Sequence, residues 1–82
     1  MNFVIYSKQG CPYCEKIKVV LGDLCERNGF PLVKYELGED FTGEEFYAEF
    51  GDGSTFPQVI CEKDHIGGCT DTIKYLQENK MI

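Results

Sequence analysis

Cys11-Pro12-Tyr13-Cys14 sets two thiols three positions apart, close enough to join as a small disulfide with little backbone movement. Pro12 suits a first helical position, and Ile17, Val20, Leu21 and Leu24 then recur at i, i+3, i+4 and i+7. That apolar stripe ends near Asn28-Gly29, so the two cysteines fall on the opening turn of an amphipathic helix. Cys11 precedes the turn, where unpaired N–H groups and the helix dipole favour a thiolate, and Lys8 adds positive charge nearby. Cys14 lies one turn further in, on the side that should be buried. The pair reads as an attacking thiol, Cys11, and a resolving thiol, Cys14. Two cysteines at this spacing can also supply half of a structural zinc site, which takes four ligands. Cys25, Cys61, His65 and Cys69 are scattered singly with no second C-x-x-C, which disfavours zinc.

Before the helix, Phe3-Val4-Ile5-Tyr6 is an unbroken apolar run, the pattern of a central strand buried on both faces. Val33, Tyr35 and Leu37 alternate with Lys34 and Glu36, as in a strand nearer the sheet edge. Thr42 and Glu45 have capping-box spacing ahead of Phe46, Tyr47 and Phe50, which predicts a short second helix stopped by Gly51-Asp52-Gly53-Ser54. Residues 57–61 read as a third strand, Glu62-Lys63-Asp64 as a turn, and His65-Ile66 as a short fourth strand. A final helix follows Gly67-Gly68 and should bury Ile73 and Leu76. The order β-α-β-α-β-β-α predicts an α/β sandwich with a four-stranded mixed sheet, its first two strands parallel through a right-handed crossover. The dithiol then sits at the carboxyl end of a central strand, where ligand sites of α/β folds gather.

Eighty-two residues, 43% of them apolar, suit one domain covering 1–82. Eight Lys and Arg against fourteen Asp and Glu give a net charge of −6, the wrong sign for nucleic acid or an anionic membrane surface. Five cysteines are an odd number, so at least one thiol stays free. The start, Met1-Asn2-Phe3-Val4-Ile5-Tyr6, has no basic segment and too short an apolar run for a signal peptide or a membrane span. The expectation is a protein of a reducing cytoplasm.

Two further segments bear on the dithiol. Thr55-Phe56-Pro57 enters a strand at a proline, which fixes φ and fits a cis bond in a tight turn. Gly67-Gly68-Cys69-Thr70-Asp71 opens the last helix and could present free N–H groups to an anion. Taken alone, ordinary capping by Thr70 or Asp71 is the commoner explanation of such a start. With the Cys11–Cys14 motif, these segments in this order and at these separations make the whole chain resemble a dithiol glutaredoxin of the thioredoxin fold.

That resemblance implies a glutathione-dependent thiol–disulfide oxidoreductase, with glutathione as co-substrate and no bound cofactor. It makes Pro57 the cis proline facing the dithiol, in the Thr55-Phe56-Pro57 segment, with the Phe56 backbone pairing like a short strand with the cysteinyl part of glutathione. Amides of Cys69 and Thr70, at the start opened by Gly68, would hold the γ-glutamyl carboxylate, and Asp71 would accept from its ammonium group. Lys8 would pair with the glycyl carboxylate, and Tyr13 would line the groove beside the sulfurs. The family more often has valine where Phe56 stands. Implied partners are glutathione and glutathionylated or disulfide-containing proteins, ribonucleotide reductase among them, met by a monomer.

Two competing readings are a redoxin recharged by thioredoxin reductase and a module holding an iron–sulfur cluster between two monomers through Cys11 and glutathione. The Gly68-Cys69-Thr70-Asp71 ending disfavours the first. Pro12, which stiffens the turn, and Cys14, which offers a competing disulfide, disfavour the second. Cys25 and Cys61 read as small packing residues, and Cys69 as a packing residue placed where oxidation could reach it. His65 reads as an ordinary turn or strand residue, and Glu44-Glu45 as a solvated helix start that complements the dipole.

Overall fold

The computed structural model describes residues 1–82. Strand β1 (Phe3–Ser7) leads through the cysteine turn into helix α1 (Pro12–Asn28), which returns the chain to strand β2 (Leu32–Glu36). Helix α2 (Gly43–Phe50), the hairpin β3 (Gln58–Cys61) and β4 (Asp64–Gly67), and helix α3 (Cys69–Glu78) complete the order expected from the sequence. The sheet runs β2-β1-β3-β4, with β1 parallel to β2, antiparallel to β3, and β3 antiparallel to β4.

Local chemistry explains the helix limits. Cys11 is the N-cap of α1, Pro12 supplies a fixed φ without a needed donor, and Gly29 closes the helix at φ 70°, its N–H reaching the Cys25 carbonyl. Thr42 and Glu45 form both halves of the capping box: the Glu45 N–H donates to Thr42 Oγ1 at 3.2 Å and the Thr42 N–H donates to Glu45 Oε1 at 2.9 Å.

The two faces of the sheet are covered differently. Phe3 and Ile5 of β1 and Val59 and Cys61 of β3 pack against Ile17, Leu21, Leu24 and Cys25 of α1 and Cys69 and Leu76 of α3, one contiguous core. Burial of each large apolar side chain here stabilises by roughly 1.5–3 kcal/mol. The opposite face carries Tyr6, whose ring meets Tyr35, Phe41 and Phe50 at 5.2, 5.2 and 5.0 Å. Helix α2 docks there through aromatic rings, with Phe46 buried and Phe50 tilted against it at 5.0 Å. Tyr35 and Val33 remain 37% and 41% exposed because β2 is an edge strand and α2 is too short to reach along it.

Several details differ from the sequence expectation. Strand β1 runs on through Ser7, and β2 is Leu32–Glu36, which leaves Leu37 beyond it in an isolated bridge to Phe41. Strand β3 begins at Gln58, since Pro57 has no N–H for the ladder. Asp64 belongs to β4, paired with Cys61, so the hairpin turn is only Glu62-Lys63, with Glu62 at φ 58°. Helix α3 fully buries Thr72 rather than Ile73, which packs at the margin of the core.

Burial pushes the Cys25 and Cys61 thiols and the Tyr75 phenol upward from their ordinary values. The folded state therefore keeps protons that the unfolded chain releases above about pH 8.5, so stability falls as pH rises beyond that point. The urea midpoint of the reduced protein should be lower near pH 10 than near pH 8.5. A midpoint that holds or rises at alkaline pH would contradict this burial.

Candidate active site

Three segments meet beyond the carboxyl end of β1: the start of α1, the loop entering β3, and the start of α3. Cys11 and Cys14 are joined as a disulfide with Cα atoms 5.1 Å apart. The Cys14 N–H donates to Cys11 Sγ at 3.1 Å, a bond that an anionic sulfur would strengthen. Cys14 is wholly buried, whereas Cys11 keeps 7% exposure and Tyr13 beside it 61%. Only Cys11 of the pair is open to attack on an outside sulfur.

The Phe56–Pro57 peptide bond is cis, as the proline context suggested. It places the Phe56 carbonyl oxygen 3.8 Å from Cys11 Sγ, which brings the β3 entry loop directly onto the dithiol. A cleft of about 460 Å³ opens beside it. Tyr13, Thr55, Phe56 and Pro57 line one side, and Gly68, Cys69, Thr70 and Asp71 line the other. Lys8 stands outside that lining, its ammonium 5.3 Å above the Phe56 ring.

No side chain caps α3, whose N-cap is Gly68, so capping by Thr70 or Asp71 is set aside. The first amides of the helix are left without intrahelical partners and face the cleft segment. Asp71 folds back over Gly67, where an added Cβ would lie 2.8 Å from Asp71 Oδ2. Gly67 also has φ 124°, so both space and backbone conformation reserve this position for glycine. Cys69 both lines the cleft and belongs to the core. Burial pushes that thiol up, opposed by the smaller effect of Lys16.

Gly67, named in the sequence as the start of the glycine-led segment, lines the cleft too, as do Gln58 and His65, which sequence reasoning missed. Gln58 Nε2 donates to the Thr55 carbonyl at 2.8 Å, and its Oε1 lies 2.6 Å from His65 Nε2. His65 is thus a strand residue, as read, but one that braces the proline loop. The available signal was the β3–β4 pairing, which sets His65 opposite Ile60 and brings the two strands' cleft ends together.

The profile of the family described as glutaredoxin matches residues 3–66. The chain belongs to the glutaredoxin family. It is 34% identical to glutaredoxin 1 of Escherichia coli over 96% of both chains. The structure of reduced Escherichia coli glutaredoxin superposes with a TM-score of 0.82 at 32% identity, covering 100% of each chain. A buckwheat glutaredoxin–glutathione complex gives a TM-score of 0.75 at 27% identity, covering 96% of this chain and 71% of that one. Glutaredoxins are glutathione-dependent thiol–disulfide oxidoreductases, and the three-helix, four-stranded mixed sheet of this glutaredoxin is the thioredoxin-like fold.

Cys11 and Cys69 are almost equally covered, 7% and 6% exposed, so their surroundings predict which thiol reacts: Cys11 accepts the Cys14 N–H at a helix start, whereas burial pushes the Cys69 thiol up. Brief iodoacetamide treatment of the reduced glutaredoxin near neutral pH should label Cys11 alone, read by peptide mass spectrometry. Cys25, Cys61 and Cys69 should label only after denaturation; rapid native labelling of Cys69 would show that its side chain faces the cleft.

Proposed function

We propose that Cys11 is the nucleophile and Cys14 the resolving thiol of this glutaredoxin, with glutathione held across the cleft between Phe56 and the start of α3. The observation that carries this reading is the arrangement itself: one accessible sulfur, one buried sulfur, and an uncapped helix start beside Asp71 in a single cleft. The buckwheat glutaredoxin solved with glutathione supports the same ligand here.

Glutathione carries two carboxylates and one ammonium group. Amides of Cys69 and Thr70 receive the γ-glutamyl carboxylate, Asp71 accepts from the ammonium group, and Lys8 meets the glycyl carboxylate. The cysteinyl backbone pairs with that of Phe56, while Tyr13, Thr55, Pro57 and Gly68 shape the walls. The Cys11 thiolate attacks the glutathione sulfur of a mixed disulfide, forms Cys11–glutathione and releases the partner's thiolate. A second glutathione thiolate then attacks the glutathione sulfur of that adduct, yielding glutathione disulfide and restoring Cys11. Alternatively, the Cys14 thiolate attacks Cys11 Sγ, expels glutathione and closes the Cys11–Cys14 disulfide, which two glutathione molecules reduce.

Glutathionylated proteins and proteins with internal disulfides, that of ribonucleotide reductase among them, are the substrate classes, met by a monomer in a reducing cytoplasm. The assay is glutathione-dependent reduction of a small mixed disulfide, coupled to glutathione reductase and NADPH. Cys14→Ser should keep this activity while losing reduction of a protein disulfide, and Cys11→Ser should abolish both. Activity surviving in Cys11→Ser would sink the assignment. Asp71→Asn should raise the KM for glutathione by about tenfold, the value of one charge-assisted hydrogen bond.

A further inference from the structure

Lys8 is a cation without a carboxylate. None of the ion pairs of the chain includes it, and its ammonium sits 5.3 Å from the centre of the Phe56 ring. That ring is not free to move. It stacks on Phe46 at 4.1 Å with planes 12° apart, and on Phe41 at 6.2 Å with planes 21° apart. Phe41 and Phe46 stack on each other at 5.9 Å, and Phe46, 1% exposed, is wedged against Phe50 at 5.0 Å. A continuous set of rings therefore runs from α2 through the sheet face to the cleft and ends under Lys8.

The negative face of an aromatic ring attracts a cation, an effect that an aliphatic side chain of similar volume lacks. Lysine is a long, flexible side chain, and holding it in place to meet an anion carries an entropic cost at the moment of binding. A ring fixed from behind places the ammonium in advance while leaving its outward donors free. Phe56 links Lys8 to the dithiol: the ammonium lies over its ring, and its carbonyl oxygen lies 3.8 Å from Cys11 Sγ. The same residue thus touches the reacting atom through its backbone and supports the cation through its ring.

We infer that the Phe41–Phe46–Phe56 stack is a cation platform that holds Lys8 ready for the anionic end of the substrate, making Phe56 and Phe46 positioning residues that act through Lys8. This rests on the reading that Lys8 meets the glycyl carboxylate of glutathione. Its signature is energetic coupling: loss of the ring should matter only while the lysine is present.

The test uses the full chain, reduced, as wild type, Lys8→Gln, Phe56→Leu and the double variant, with Phe46→Leu as a second route to the same platform. Proton NMR reads the contact itself, since ε-methylene protons above a ring move upfield. That upfield shift should be present in wild type, vanish in Phe56→Leu and shrink in Phe46→Leu. Kinetics read the role. Phe56→Leu should raise the KM for glutathione by about two- to fivefold, the range of a cation–π contact at an exposed site, with kcat unchanged. In the K8Q background the same change should alter KM by less than about 1.5-fold, since no cation remains to be placed. Should Phe56→Leu not fold, Phe46→Leu enters the same cycle. Equal effects of Phe56→Leu with and without Lys8, or no upfield shift in wild type, would overturn the platform. A KM unaffected by Lys8→Gln would instead defeat the carboxylate contact on which it rests, a result distinguishable from the first two.

Discussion

Phe3, Ile5 and Ser7 are wholly withdrawn from water on one face of β1, and Tyr6 anchors the aromatic cluster on the other. A strand hydrogen-bonded on both sides and covered on both faces cannot shift by one residue without exchanging its core and aromatic sets. The carboxyl end of β1 is therefore the fixed point from which the cysteine turn is launched. Ser7 closes it with its hydroxyl proton placed between two acceptors, the Tyr35 carbonyl at 3.1 Å and Glu36 Oε2 at 3.0 Å. Glu36 in turn faces Lys18 of α1 at 3.4 Å, a half-buried link between the strand end and the helix that carries Cys14. A buried hydroxyl left without these partners would destabilise the site's foundation rather than its chemistry.

The division of labour between the sheet faces follows from side-chain chemistry. The aliphatic face, against α1 and α3, holds the backbone frame that presents helix starts to the cleft. The aromatic face, against α2, reaches the same cleft through Phe56. Ring stacking is directional, so it fixes not only that Phe56 is buried on one side but how its plane lies. An aliphatic contact would satisfy the burial and leave the orientation loose.

Five cysteines illustrate how one functional group acquires different chemistry from its surroundings. Cys11 sits outside the first turn of a helix, accepts an N–H and touches solvent. Cys25, Cys61 and Cys69 lie in the apolar core, where ionisation is penalised. Cys69 belongs to both settings, since it lines the cleft and is also a member of the core, where burial pushes its thiol up.

Local features were legible in the residues alone: the helix opened by Cys11 and Pro12, the capping box of Thr42 and Glu45, the Gly51 stop, and the alternation of strands and helices along the chain. Each depends on residues a few positions apart, whose conformational preferences act without help from the rest of the chain. The motifs at 11–14, 55–57 and 67–71 were likewise legible, and the expectation that they meet came from the family resemblance. Contacts between residues of different segments of the chain came into being only with the packed fold. Gln58 reaching His65, Lys8 resting on Phe56, Phe56 stacking on Phe46, and Ile73 yielding its core position to Thr72 are of this kind. These depend on the rotation of each helix about its axis and on register across the sheet, which are set when the whole core packs at once and leave no periodic trace in any one segment.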